Sequence, residues 1–284
     1  MAERKAVSKP ETAQHNRLRS IEGRHNASLK QLRKAFASGE AASDGVFAIE
    51  GIRILEEAIR SGLRLRTVFF ASSAEAQAQR FLPQLGTHVE TAIVPDRLFA
   101  TAVPTEAPQG IAALVQGKVF GLDDVLAKSR TRPVIVVVGL QDPGNLGTIL
   151  RSAEAFGAAG VLLGEGTVSL FNPKVVRASA GSVFRVAAVE VEISNILDQL
   201  RDEKFRLLAT SSHKGIPLPQ ATLARPLAIL VGGEGAGLSR DLIAKADEII
   251  AIPHSSKVES LNAGVATSII LYEAARQRSE LQRQ

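Results

Sequence analysis

PVIVVVGLQDPGNLGTILRSAEAFGAAG, residues 133–160, places an unbroken apolar run ahead of a Pro-Gly turn and a helical segment. An apolar run without polar alternation is the mark of a strand buried on both faces of a parallel sheet. Residues 144–156 have helical character. Asn145 sits near the start of that helix, where Asn is a natural cap. Arg151 follows six residues on, roughly one and two-thirds turns later. A helix N-terminus at the carboxyl end of a parallel strand is a ready anion site. The junction therefore reads in two ways. Asn145 and Arg151 face a phosphate or a reacting hydroxyl, or they are a cap and a surface arginine.

Two further strand-to-loop-to-helix junctions lie downstream. In LAILVGGEGAGLS (227–239), four glycines surround Glu234 directly after an apolar strand. Such glycine density serves close backbone approach to a ligand. The spacing fails the dinucleotide fingerprint, which needs a glycine where Leu238 stands, and no phosphate-binding G-x-x-x-x-G-K-[ST] loop is present. In EIIAIPHSSKVESLNAGVATSIILYEAARQR (248–278), a strand ends at Pro253. The polar loop HSSKVES then leads to a helix read over 260–278, with Ser260 and Asn262 at its start. Ordinary capping by Ser260 is the alternative there. In a parallel sheet the three junctions share one edge, so Asn145/Arg151, Glu234 and Ser260/Asn262 can converge. They contain no nucleophile paired with its base, which argues against triad hydrolysis.

The rest of the chain alternates in the same way. Residues 1 to about 20 read as disordered and 26–36 as a helix. Strands follow at 46–50, 65–71, 88–94 and 111–116, with helices at 52–62 and 74–82 between them. Residues 117–132 read as a linker with one short helix. After the 133–160 segment, strands are expected at 160–164, 183–191, 205–211, 227–233 and 248–253, and helices at 173–179, 194–203 and 239–245. This is an α/β chain in two parts. With 45% hydrophobic residues it can build a packed core. It has no cysteine, which excludes disulfides, thiolate metal sites and a cysteine nucleophile, and its five histidines are scattered, so no metal is expected. No apolar run approaches the roughly 20 residues of a spanning helix, and MAERKAVSKPETAQ lacks a signal-peptide core. A cytoplasmic protein is the simplest reading.

The net charge is +5, but residues 1–34 hold nine basic and three acidic groups, leaving the remaining 250 residues at −1. The basicity belongs to the N-terminal arm. A basic arm ahead of a near-neutral body points to a polyanion such as RNA, or to a solvated tail.

NLGTILRSAEAFGA, GGEGAGLS and IPHSSKVESLNAGVATSIILYE, in this order, resemble the three motifs of the SpoU/TrmH-type RNA ribose 2′-O-methyltransferases of the SPOUT class. Residues 26–115 resemble the family's L30e-like substrate-binding domain. The resemblance implies a basic arm (1–24), an L30e-like RNA-binding domain (25–116), a linker (117–132) and a SPOUT catalytic domain with a deep trefoil knot (133–284). It implies S-adenosylmethionine as cofactor and a homodimer with the site at its interface. Asn145, Arg151, Glu234, Ser260 and Asn262 match the family's catalytic and structural polar positions. Gly232, Ile252 and Leu261 match its cofactor-contacting loops, with Gly233, Thr210 and Ser211 beside them. Arg151 is the family's usual group for activating the ribose hydroxyl. An arginine is a poor general base, so orienting the 2′-OH and its neighbouring phosphate suits it better. His254-Ser255-Ser256 stands where the family more often has a methionine-containing loop. The separate first domain favours ribosomal RNA over tRNA as substrate. A protein that keeps this fold and binds RNA without turnover is the alternative.

Overall fold

The computed structural model describes residues 17–224, 226–281 and 283, and these fall into two compact units, one up to Gly117 and one from Lys118. In the first unit a five-stranded mixed sheet has the order β1-β4-β3-β5-β2. Its strands are β1 (Leu18–Ser20), β2 (Val46–Glu50), β3 (Arg64–Ala71), β4 (Glu90–Val94) and β5 (Ile111–Gln116). Helices α1 (Ala27–Ser38), α2 (Ile52–Arg60), α3 (Glu75–Phe81) and α4 (Asp96–Ala100) connect them. Leu29, Leu32 and Phe36 recur at helical spacing on α1 and are buried, and the Asn26 side chain caps the helix by accepting from Ser28 N and Leu29 N. α4 escapes a periodicity reading because five residues are too few to show one.

The arm is shorter than its charge implies. Leu18–Ser20 pair in parallel with Thr91–Ile93, and Ile21 is buried. The Arg17 guanidinium donates to the carbonyls of Leu82, Leu85 and Gly86. Positive charge near the N-terminus is here spent on chain carbonyls, so residues 17–20 are not disordered. Residues 1–16 of the expected arm lie outside the described residues.

The second unit is a seven-stranded sheet in the order β10-β12-β9-β11-β6-β7-β8, with every adjacent pair parallel. The strands are β6 (Val134–Val138), β7 (Gly160–Leu163), β8 (Ala188–Glu190), β9 (Arg206–Ser211), β10 (Ile216–Pro217), β11 (Leu227–Gly232) and β12 (Glu248–Ala251). The helices are α5 (Leu122–Leu126), α6 (Pro143–Ala155), α7 (Pro173–Ser179), α8 (Ile193–Asp202), α9 (Arg240–Ala244) and α10 (Ala263–Leu281). The apolar runs of β6 and β11 become the two central strands, buried on both faces as an all-parallel sheet requires. α8 lays Ile193, Ile196, Leu197 and Leu200 on Val134, Val136, Leu207 and Leu230. Each such side chain contributes roughly 1.5–3 kcal/mol on burial.

Two expectations change. The apolar stretch 183–191 is not one strand. Gly181 enters at φ 92, and a 3-10 turn at Ser182–Phe184 follows, closed by Phe184 N and Arg185 N donating to the Gly181 and Ser182 carbonyls. Only Ala188–Glu190 pair with β7. Val183 and Phe184 are buried by packing rather than by strand pairing. The stretch read as a linker also belongs to the second unit, where Val125 is wholly buried in its core.

α6 and α10 lie side by side along a seam of small residues. A Cβ on Gly264 would stand 3.0 Å from Thr148 Cβ. One turn on, the Ser152 and Ser268 hydroxyls are 2.6 Å apart, and one turn further Phe156 meets Tyr272 edge-on at 5.8 Å. Contacts that advance by four residues on both helices define an i±4 ridge seam between helices running the same way. α6 packs equally closely on α7, where a Cβ on Gly147 would lie 2.8 Å from Ala178 C and 2.9 Å from Ser179 N. Because those are backbone atoms, Gly147→Ala is expected to cost about 1–3 kcal/mol by overpacking, measured as a lowered denaturation midpoint.

Candidate functional site

Four adjacent strands, β12, β9, β11 and β6, send their carboxyl ends to one edge of the second unit's sheet. The α6 N-terminus is capped by Asp142, whose Oδ1 accepts from Asn145 N at 2.7 Å, with Pro143 in the first helical position. Asn145 is therefore not the cap. It is buried, and its Nδ2 donates to Glu234 Oε1 at 2.5 Å. Glu234 Oε2 accepts from Gln141 N at 3.3 Å. One carboxylate thus joins the loop after β11 to the loop after β6.

The four glycines around Glu234 divide the work. Gly235 and Gly237 adopt φ 80 and 63, which side chains resist. Gly232 and Gly233 serve close approach instead. A Cβ on Gly232 would overlap the Gly237 backbone, and one on Gly233 would overlap the Gly139 carbonyl oxygen. The turn closes on itself through Gly237 N donating to Gly233 O at 3.1 Å.

The third loop runs from β12 to α10. α10 begins at Ala263, not at Ser260, and Asn262 caps it, its Oδ1 accepting from Val265 N at 3.1 Å. The loop after β9 lies alongside, with Thr210 Oγ1 donating to Leu230 O at 2.9 Å.

These loops enclose a cavity of about 570 Å³, within the range of small-ligand sites. Nine of the sequence-derived site residues line it: Thr210, Ser211, Gly232, Gly233, Glu234, Ile252, Ser260, Leu261 and Asn262. Val231, Leu238, Ile243, Ile250 and Ile270 give it an apolar wall. Asn145 stands outside the lining and holds Glu234. Arg151 is also outside it. Arg151 is exposed on α6 and makes no hydrogen bond or ion pair among the described residues.

Sequence reasoning missed His213, His254 and Glu259, which also line the cavity. The His213 and His254 rings stack at 5.2 Å and 27°. The signal available for His254 was its place in the third motif, directly after Pro253. His213 carried none, because it meets the site only through the neighbouring strand. Among the described residues no group of three or more His, Cys, Asp or Glu is placed to hold a metal ion, and no helix is long and apolar enough to cross a membrane.

Residues 132–272 match the SpoU rRNA Methylase family, and residues 26–113 match the MRM3-like substrate binding domain. The chain is 31% identical over 255 residues to the 23S rRNA (guanosine(2553)-2′-O)-methyltransferase RlmP of Bacillus subtilis, covering 90% of this chain and 98% of that one. It is 32% identical over 248 residues to the 23S rRNA (uridine(2479)-2′-O)-methyltransferase of Streptomyces viridochromogenes, covering 82% and 84%. Among solved structures, the SpoU methyltransferase AviRb from Streptomyces viridochromogenes in complex with AdoMet superposes with a TM-score of 0.78, at 28% identity over 90% of this chain and 99% of that one.

Burial raises the Glu234 carboxyl, but hydrogen bonds from Asn145 and from the backbone N–H groups of Glu234, Gln141 and Asp142 outweigh it and hold the group below its ordinary value of 4.5. A depressed carboxyl stabilises the fold above its ordinary value and loses that contribution as pH falls through the lowered one. Glu234→Gln is therefore expected to be less stable than the parent at neutral pH, with the gap closing below pH 4.5. Parallel urea titrations across that window measure it.

Proposed function

Because the chain belongs to the SpoU rRNA methylase family, we propose that it transfers a methyl group from S-adenosylmethionine to a ribose 2′-hydroxyl of ribosomal RNA. The observation that carries this reading is the convergence of the loops after β9, β11 and β12 on one cavity, tied to the α6 junction by Asn145 and Glu234. The residues fit the cofactor. Gly232 and Gly233 line the cavity without side chains, while Leu238, Ile243 and Ile250 offer an apolar wall for a flat ring. The backbones of Gly232, Gly233, Ile252 and Leu261 line the cofactor, with Thr210 and Ser211 beside it. The family's trefoil knot would be threaded through these same loops.

When bound, S-adenosylmethionine supplies an electrophilic sulfonium methyl. The chain contributes alignment. Arg151 has no partner among the described residues, and its planar fork suits a phosphate and the neighbouring 2′-OH together. It orients the hydroxyl, and a phosphate oxygen or water takes the proton. Ser260 and Asn262 sit on the cavity wall where the ribose enters, and Asn145 acts by positioning Glu234. The 2′-OH restricts the substrate to RNA. Two relatives name 23S rRNA as their substrate, which supports rRNA over tRNA. Residues 25–116 bind the RNA, residues 1–24 add positive charge to it, and residues 133–284 carry out the transfer, in the cytoplasm.

The active form is a homodimer with the site at its interface. Val265, Ile269 and Tyr272 share one face of α10 and are 47%, 37% and 57% exposed, an apolar stripe that a second copy would cover. Ile269→Glu, which leaves the Tyr272–Phe156 contact in place, is expected to shift the protein from dimer to monomer in sedimentation equilibrium.

The test of function is methyl transfer from labelled S-adenosylmethionine to total rRNA and total tRNA of a strain lacking the gene. Label in rRNA at an alkali-resistant dinucleotide is the expected result. Label confined to tRNA reverses the substrate assignment, and cofactor binding without transfer to either pool favours RNA binding without turnover. Arg151→Lys is expected to lower turnover about 100-fold while leaving cofactor affinity unchanged.

A further inference from the structure

His254 ends the strand-to-loop step after β12, on the wall of the cavity. Its Nδ1 lies 2.7 Å from the Ile252 carbonyl oxygen. A carbonyl only accepts, so Nδ1 carries the proton, and in the neutral ring Nε2 is left as an acceptor. Nε2 is buried and has no hydrogen-bond partner among the described residues. The His213 ring stacks on the imidazole from the loop after β9 and holds its plane. The result is a fixed ring in the wall of a ligand-sized cavity, with a desolvated acceptor that no described group satisfies. A buried acceptor without a donor is costly, and the cost is removed when a ligand brings one.

We propose that His254 is a cofactor-reading residue, its Nε2 accepting a hydrogen bond from an N–H of S-adenosylmethionine. This rests on the cavity being the cofactor site. Two groups on the cofactor carry such a donor, the adenine amine and the α-ammonium. His213 has a positioning role, and His254 stands where the family more often has a methionine-containing loop.

Calorimetric binding of S-adenosylhomocysteine to the full-length protein tests this. His254→Phe keeps a flat ring for His213 and loses both ring nitrogens, and a loss of about tenfold in affinity is expected. Two further variants separate ligand reading from loop support. His254→Gln can place an acceptor near the Nε2 position, and is expected to recover most of the affinity. His254→Asn can place a polar group near the Nδ1 position and reach Ile252 but not the ligand, and is expected to bind as weakly as His254→Phe. Rescue by Asn and not by Gln would overturn the proposal in favour of loop support. Unchanged affinity in His254→Phe would overturn it while leaving the cavity assignment standing. A parent protein that does not bind S-adenosylhomocysteine would overturn both. S-inosylhomocysteine, which lacks the adenine amine, then assigns the donor. Parent and His254→Phe binding it equally places the contact at the amine, and a persisting difference places it at the ammonium.

Discussion

A single carboxylate holds the site together. Glu234 accepts from the Asn145 side chain with one oxygen and from Gln141 N with the other. Gly233 rests on the Gly139 carbonyl, at a distance that admits no side chain. The loop after β11 is thereby pinned to the loop after β6. Asn145 can serve this role because Asp142 has already taken the capping position, which frees the Asn side chain for the contact. The same Asn145 lies beside Gly264 in the first turns of α10. Three segments far apart in sequence therefore meet at one buried amide. A buried polar group of this kind stabilises only when its partners are all in place, so the contact fixes geometry as much as it adds stability.

The neighbouring packing explains how that geometry is kept. α6 cannot slide on α10, because the seam of Gly264, Ser268 and Tyr272 against Thr148, Ser152 and Phe156 has one register. It cannot move away from α7, because Gly147 is in contact with backbone. At its far end the Arg278 guanidinium donates to the Phe156 carbonyl at 2.6 Å, satisfying part of the α6 C-terminus. The cavity loops thus grow from rigid elements, as a site that works by alignment requires. The surface left apolar, on the outer side of α10, lies on the helix that forms part of the cavity wall.

Much of this was legible in the sequence, for identifiable reasons. Short unbroken apolar runs, each between a Pro and a Gly, suit strands buried on both faces, so β6 and β11 were readable. Glycine density around Glu234 reads as close approach to a ligand, whereas the close approach in the structure is of Gly232 and Gly233 to the chain's own backbone at Gly237 and Gly139. The capping alternative for Asn145 failed because Asp142 and Asn145 are both capping residues, three apart, and spacing does not say which one caps. Ser260 and Asn262 posed the same choice, and Asn262 took the cap. The strand expected at 183–191 failed because hydrophobic burial and strand pairing leave the same signature in sequence, and Gly181 turns the chain. The Arg-rich segment before Ile21 looked like a tail because the carbonyls that accept from Arg17 lie more than sixty residues away. The His213–His254 stack joins two loops of neighbouring strands and has no local signature at all.

The central claim is that the loops pinned by Glu234 form the cofactor site. A crystal structure of the protein with S-adenosylhomocysteine tests it most directly. The account predicts the ligand between the Thr210–His213, Gly232–Gly237 and Ile252–Asn262 segments, with the Asn145–Glu234 contact intact. Ligand bound elsewhere, or bound here with that contact broken, would contradict it.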